Sequence, residues 1–160
     1  MIDLPPPILV DRRRDPGDDK YTWVPFEPSD QFTSAWWDDP PYLDDDPWFV
    51  QALLDGEDVA RVNLDPEVHI DHYAGVPDLG GSGLEIAFFE VSAAHQRRGI
   101  GTAVIRSLVA EHPDRRFVAF SEEADEFWVS LGWERFLNAT DPDHYRPLFI
   151  QPGPRPASAD

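Results

Sequence analysis

Gln96-Arg97-Arg98-Gly99-Ile100-Gly101-Thr102 lies between an apolar run, Ile86-Ala87-Phe88-Phe89-Glu90-Val91, and a segment in which Ala103, Val104, Ile105, Leu108 and Val109 recur at helical spacing. The order reads as strand, turn, helix. Two glycines at such a junction let the backbone approach a ligand without Cβ obstruction, and the unpaired N–H groups of the first helical turn point at whatever sits there. An anion suits these donors, and a pyrophosphate engages several at once. A second stretch, from Trp36 to Trp48, alternates five aspartates with aromatic rings on a proline-stiffened loop. Trp36, Trp37, Asp38, Asp39 and Tyr42 could there hold an organic cation by charge and ring faces together, or the rings could cap a core edge while the aspartates face water. His69, Asp71 and His72 lie close in sequence but lack a fourth partner, so no metal site is expected.

Extended to its flanks, the Gln-x-x-Gly-x-Gly pattern resembles the acetyl-CoA signature of the GNAT superfamily of N-acetyltransferases. Glu85-Ile86-Ala87-Phe88-Phe89-Glu90-Val91 is similar to the family's fourth strand. Ala124-Asp125-Glu126-Phe127-Trp128-Val129-Ser130-Leu131-Gly132-Trp133 is similar to its later helix, which ends in Leu-Gly-aromatic. The likeness covers residues 84–136 and is faint before Leu84. It implies an α/β (α+β) fold with a mixed, mostly antiparallel central sheet of six to seven strands, flanked by helices, whose fourth and fifth strands splay apart. It also implies acetyl-CoA as cosubstrate and direct transfer of acetyl to an amine, without an acyl-enzyme.

Three tasks follow from that reaction. Backbone amides of Gln96, Arg97, Arg98, Gly99, Ile100, Gly101 and Thr102 would hold the diphosphate, with the two arginines adding charge. Main-chain groups of Phe89, Glu90 and Val91 would pair with pantetheine, and Ser121 stands where the family often places a cofactor-holding asparagine. For proton removal the resemblance points to Glu85, which falls on the general-base glutamate of histone-type members. Its neighbours Leu84, Ile86 and Phe88 would partly desolvate it and so raise its proton affinity. Glu90, on the opposite strand face, is the alternative base. The third task, protonating the thiolate, falls in much of the family to a tyrosine after the phenylalanine of the later helix. Here that position is Trp128, whose indole N–H is not a useful acid. Tyr145, Ser130 or water would take over.

The elements that must position these groups can be read in outline. Residues 1–20, with three consecutive prolines and a charged stretch, suit an extended arm or an edge strand. A single domain is expected over residues 21–150 and a proline-rich tail over 151–160. Residues 21–26 read as a first strand, and Ser29 as the N-cap of a short helix over 30–37. Residues 48–54 and 59–64 flank Asp55-Gly56-Glu57-Asp58 as a hairpin. The long connection over 65–83 closes on Gly80-Gly81-Ser82-Gly83 and reads as an acceptor-site lid hinged on its glycines. Beyond the signature come a helix ended by His112-Pro113, a buried strand at 117–120, a helix over 122–130 stopped by Gly132, and last strands at 133–137 and 148–150.

With 41% hydrophobic residues, six Trp and ten Phe, the 160-residue chain can bury a core. No run approaches a membrane span and the start lacks an export pattern, so no membrane is expected. Absence of cysteine excludes disulfides and thiolate chemistry and suits a reducing compartment, with cytoplasm the default. The net charge is −18, and residues 1–80 hold 5 Lys or Arg against 19 Asp or Glu. Such a field disfavours nucleic acid and favours a cationic small molecule or basic peptide amine. The expected activity is N-acetyl transfer to a polyamine, an amino-sugar or a basic peptide or protein amine. The competing reading is an acyl-CoA-binding module that regulates a protein partner. Exposed tryptophans over 36–48 could also form a homodimer contact.

Overall fold

The computed structural model describes residues 4–153. Seven segments are extended: β1 (Ile8–Arg13), β2 (Trp48–Leu54), β3 (Glu57–Asp65), β4 (Gly83–Val91), β5 (Arg116–Phe120), β6 (Glu134–Phe136) and β7 (Leu148–Ile150). Three are α-helical: α1 (Ser34–Trp37), α2 (Ile100–Glu111) and α3 (Asp125–Ser130). The strands form one sheet in the order β1-β2-β3-β4-β5-β7-β6. The β1–β2, β2–β3, β5–β7 and β7–β6 pairs are antiparallel, whereas β4 and β5 are parallel. A parallel pair requires a crossover, and α2 supplies it. The β4–β5 ladder comprises only Gly83, Leu84 and Glu85 against Arg116, Phe117 and Val118, although β4 runs on to Val91. This is the mixed sheet with parting fourth and fifth strands that the resemblance implies.

Local chemistry explains the best-formed pieces. Asp55 and Gly56 join β2 to β3 with φ of 53° and 80°, the left-handed pair that a two-residue type I′ turn demands. In α2 the buried residues are Ile100, Val104, Ile105 and Leu108, a single stripe at helical spacing. Each such side chain contributes about 1.5–3 kcal/mol when fully removed from water, so the stripe fixes how the helix sits. His112 leaves helical geometry because Pro113 follows it.

Contacts gather into two units. The first comprises residues up to 65 together with 86–112, and one of its clusters is aromatic: Phe26, Phe32, Trp37 and Phe49, with Trp23 against them. The second comprises 66–85 and residues from 113 onward, with Ile70, Tyr73, Val118, Phe136, Leu148 and Ile150 clustered inside.

Several expectations need correction. Residues 21–26 are not a strand. Trp23 donates its N–H to Asp19 O in a turn, Pro25 has no N–H to give to a ladder, and Trp23 and Phe26 turn inward against Phe49. The helix expected over 30–37 is confined to Ser34–Trp37. Ser29 Oγ accepts from Gln31 N–H in a local turn, and Gln31 is held by the N–H groups of Ala93 and Ala94, 3.0 and 2.8 Å from its two oxygens. The helix expected from 122 begins at Asp125, since Glu123 adopts a left-handed φ of 57°. The 65–83 connection is not a hinged lid. Ile70 and Tyr73 are buried in the second unit, Tyr73 bridges to Asn138, and Ala74 N–H and Ala139 N–H bond to Leu137 O and His72 O. Its apolar residues, Val68, Ile70, Val76 and Leu79, make it a wall of that core. The N-terminal arm is in part an edge strand, β1, as one of the two expectations held. Of the tail, Gln151 is tied to Phe117 through both backbone and side chain, while residues 1–3 and 154–160 lie outside the described residues.

Candidate functional site

The turn into α2 lies in the first unit. Arg97 and Gly99 both take left-handed φ, 64° and 78°, and Gly99 is the residue from which the helix departs. Ala103 N–H makes the first helical bond to Gly99 O at 3.1 Å, and no side chain caps the turn. The amide groups ahead of Ala103 are therefore gathered without an intrachain cap, and left-handed residues in such a turn shape a concavity of N–H groups suited to an anion. Gln96, Arg97 and Arg98 are exposed, and Gln96 Nε2 donates back to Val91 O at 3.2 Å.

A further residue, not picked out from the sequence, holds the approach to this turn. His95 Nδ1 lies 2.5 Å from the Oγ of fully buried Ser92, and its Nε2 lies 2.9 Å from Glu57 Oε2 at the start of β3. Ser92 N–H in turn donates to Val59 O at 2.8 Å. The Ser-x-x-His spacing over one 3-10 turn was visible in the sequence, but its partner 38 residues away was not. These bonds fix the backbone immediately before Gln96.

Gly99→Ala tests the turn. A Cβ at Gly99 would have room, its nearest neighbour being Leu4 Cδ1 at 3.9 Å, so the penalty is conformational. Left-handed backbone costs an L-residue about 1–2 kcal/mol, and acetyl-CoA affinity is expected to fall about tenfold as the amides reorient. Equilibrium titration of acetyl-CoA reads this directly, and unchanged affinity would mean that the turn does not bind it.

The candidate bases differ in surroundings. Glu85 is half-buried, sits between Leu84 and Ile86, which are 0% and 4% exposed, and is the last β4 residue of the β4–β5 ladder. Glu90 accepts three bonds in the first unit: Oε1 from Thr33 N–H and Trp37 Nε1, each 2.8 Å, and Oε2 from Thr33 Oγ1 at 2.7 Å. That pattern is a fastening of β4 to the start of α1. Glu90→Ala would leave the indole N–H of buried Trp37 unpaired. The expected loss is about 2–3 kcal/mol, read as a thermal midpoint lower by roughly 5–10 °C, whereas a base role would instead show as a loss of rate with stability intact.

Tyr145 is exposed in the loop between β6 and β7, its ring beside His144. Ser121 is buried. Its Oγ accepts Ala124 N–H at 3.1 Å and its N–H donates to Pro147 O at 2.8 Å, so its side chain forms the turn into α3. Trp128 is buried against Phe127 and Trp133.

The aromatic loop divides. Trp36 stays exposed and packs on Phe88 of β4 with ring centres 5.5 Å apart, while Tyr42 pairs with Tyr21 at 5.6 Å. Trp37, only 1% exposed, belongs to the core against Phe26 and Phe49 rather than to a surface for an acceptor. Asp39 faces water and Asp38 is half-buried. The loop is moored from β1's end: Arg14 donates to the carbonyls of Asp44 and Asp45, and Arg13 meets Asp46 at 2.7 Å. Burial beside Asp65 and Asp45 holds the Asp44 carboxyl above its ordinary range, against the pull of Arg14.

Among known proteins, the family model described as the acetyltransferase (GNAT) family matches residues 11–133. An acetyltransferase from Thermus thermophilus has a similar structure, with a TM-score of 0.50 at 15% identity over 67% of this chain and 64% of that one. The Bacillus subtilis N-acetyltransferase YlbP in complex with coenzyme A gives a TM-score of 0.49 at 18% identity, over 66% and 67%. The putative N-acetyl transferase YhhK from E. coli, bound to coenzyme A, gives 0.48 at 13% identity, over 91% and 98%. The chain thus spans about two thirds of the length of the first two. No curated protein matches its sequence.

Proposed function

Because the chain belongs to the GNAT family of acetyltransferases, we propose that it is an acetyl-CoA-dependent N-acetyltransferase passing acetyl directly to a primary amine of a cationic acceptor. The observation that carries this reading is the uncapped, left-handed turn at Gly99, which follows β4 and opens α2, with N–H groups suited to a diphosphate. Arg97 and Arg98 supply charge, and the main chain of Phe89, Glu90 and Val91 supplies pairing groups for pantetheine. Glu85 takes a proton from the acceptor ammonium, and the freed lone pair attacks the thioester carbonyl. The tetrahedral intermediate then loses the second proton from its nitrogen to solvent and expels the thiolate, breaking the C–S bond to leave the neutral amide. Tyr145 or water returns a proton to the sulfur. Because a thiolate leaves readily near neutral pH, this last step asks little of the protein.

The charge of −18 supports a cationic acceptor, drawn in by the field of the acidic first half. Trp36 and Tyr42 offer exposed rings for such a cation, with Asp38 and Asp39 adjoining. No described helix is long and apolar enough to cross a membrane, and the lack of cysteine suits a cytoplasmic setting. Of the tryptophans over 36–48 only Trp36 is exposed, Trp37 being buried and Trp48 half-buried, so a homodimer contact there would rest on Trp36 with its exposed neighbour Leu43.

A second reading, a regulatory acyl-CoA-binding module, is favoured by buried Trp128, which fills the place of the family's acid with a side chain that cannot act as one. Release of free CoA thiol from acetyl-CoA, measured across polyamines, amino-sugars and basic peptides at low and moderate salt, separates the two. Release with one amine class, falling with salt, is expected. Tight acetyl-CoA binding without release for any amine would instead support the regulatory module.

A further inference from the structure

Every residue from Ser92 to Gln96 is fastened within the first unit on the way from β4 into the turn at Gly99. Ser92 N–H donates to Val59 O of β3 at 2.8 Å, Ala93 and Ala94 N–H donate to Gln31, and Gln96 Nε2 reaches back to Val91 O. His95 completes the set with its ring, Nδ1 meeting Ser92 Oγ at 2.5 Å and Nε2 meeting Glu57 Oε2 at 2.9 Å. An imidazole with its proton on Nε2 satisfies both, donating to the carboxylate and accepting the Ser92 hydroxyl. Ser92 is 0% exposed, so this serine, histidine and glutamate are no nucleophilic trio: an acyl donor cannot reach the hydroxyl.

What the fastening serves follows from the next residues. Arg97 takes a φ of 64° and Gly99 one of 78°. A non-glycine residue in the left-handed region persists only where its surroundings over-determine it. Among the described residues, the bond to Glu57 is the tie by which a side chain of this segment reaches β3, across 38 positions of sequence. Glu57 itself directly follows the tight turn at Asp55 and Gly56, so the ring is braced against a rigid hairpin.

We propose that His95, through Glu57, is a positioning residue for the cofactor, holding the backbone ahead of Arg97 so that the amides of the Gly99 turn are aimed before acetyl-CoA arrives. The assignment rests on the reading of that turn as the diphosphate site. It needs no contact between His95 and the ligand, because preorganisation of a loop is realised as affinity.

Glu57→Ala is the sharper test, since two effects there have opposite signs. By charge alone, loss of a carboxylate from the first unit would strengthen binding of polyanionic acetyl-CoA. Loss of the tie to His95 should weaken it. Calorimetric titration of the full chain with acetyl-CoA is expected to show binding about fivefold weaker for Glu57→Ala and about tenfold weaker for His95→Ala, the yield of one hydrogen bond to a charged group. The double variant should be no weaker than His95→Ala, because both changes remove the same bond. The Glu57 side chain is 68% exposed, and pairs so exposed add little to stability, so the thermal midpoint of Glu57→Ala should stay within about 2 °C of the wild type. Unchanged or tighter binding by Glu57→Ala, losses that add in the double variant, or a midpoint that falls in step with affinity would overturn the proposal. Gly99→Ala separates this failure from that of the underlying reading. If it alone weakens binding, the turn holds the ligand and the positioning role falls; if none of the three variants does, the turn is not the diphosphate site and both fall. The expected losses without CoA release for any amine would leave His95 assigned and defeat the acetyl-transfer reading.

Discussion

Glu85→Gln is expected to lower kcat by about 10²- to 10⁴-fold, the usual worth of a positioned general base, while leaving the acetyl-CoA KM unchanged. Glutamine keeps the size and most of the polarity of a half-buried residue set between buried Leu84 and Ile86, so the substitution removes the proposed proton acceptor with little change in packing. The pH profile is the diagnostic. The wild-type rate should lie well above the variant's near neutral pH, and the variant should approach it only in alkali, where the acceptor ammonium loses its proton to solvent without a base. A rate unchanged at every pH would sink the assignment. Glu90→Ala supplies the contrast, since its three bonds to Thr33 and Trp37 predict a loss of stability.

Arg61→Ala should be the most damaging stability change outside the site, at about 3 kcal/mol or more, because it strips the partner from a largely desolvated carboxylate. Arg61 is 1% exposed, lies 4.6 and 4.1 Å from the ring centres of Phe26 and Phe32, and donates to Glu27 O and to Asp58 Oδ2. The pairing is incomplete, for Arg61 Nη1 and Asp58 Oδ1 are buried without partners. A double change, Arg61→Met with Asp58→Asn, should therefore recover most of the loss: the apolar stem still fills the space between the rings and neither charge remains buried. Thermal unfolding decides, with a midpoint roughly 10 °C lower expected for Arg61→Ala and much less for the double variant. Equal losses would show that the charge itself carries the stability.

How far the sequence could be read depended on whether the relevant partners were local. The junction at Gly99, the Asp55-Gly56 turn and the stripe of α2 are set by residues within a few positions of one another, and each was legible. Residues 21–37 were not, because rings that insert into a core at irregular intervals mimic a strand or a helix face, and because Gln31 is claimed by Ala93 and Ala94. The same distance hid the part played by Glu90, whose partner Thr33 is 57 residues away. A glycine-rich close to the 65–83 connection suggested motion, but Ile70 and Tyr73 bury themselves, and burial outweighs the freedom of a few glycines. Nor has the bond from His95 to Glu57 any signature in linear order.

The two ends of the sheet bear on how copies of this protein can meet. At one end stands β1, in which Asp11, Arg12 and Arg13 are exposed and two of them engage Gln51 and Asp46. At the other stands β6, only three residues long, with Glu134 and Arg135 outward. Charged or abbreviated edges resist the strand-to-strand joining by which sheets grow into fibrils. While the sheet stays folded, contacts between copies should thus fall to exposed rings such as Tyr21 and Tyr42 rather than to its edges.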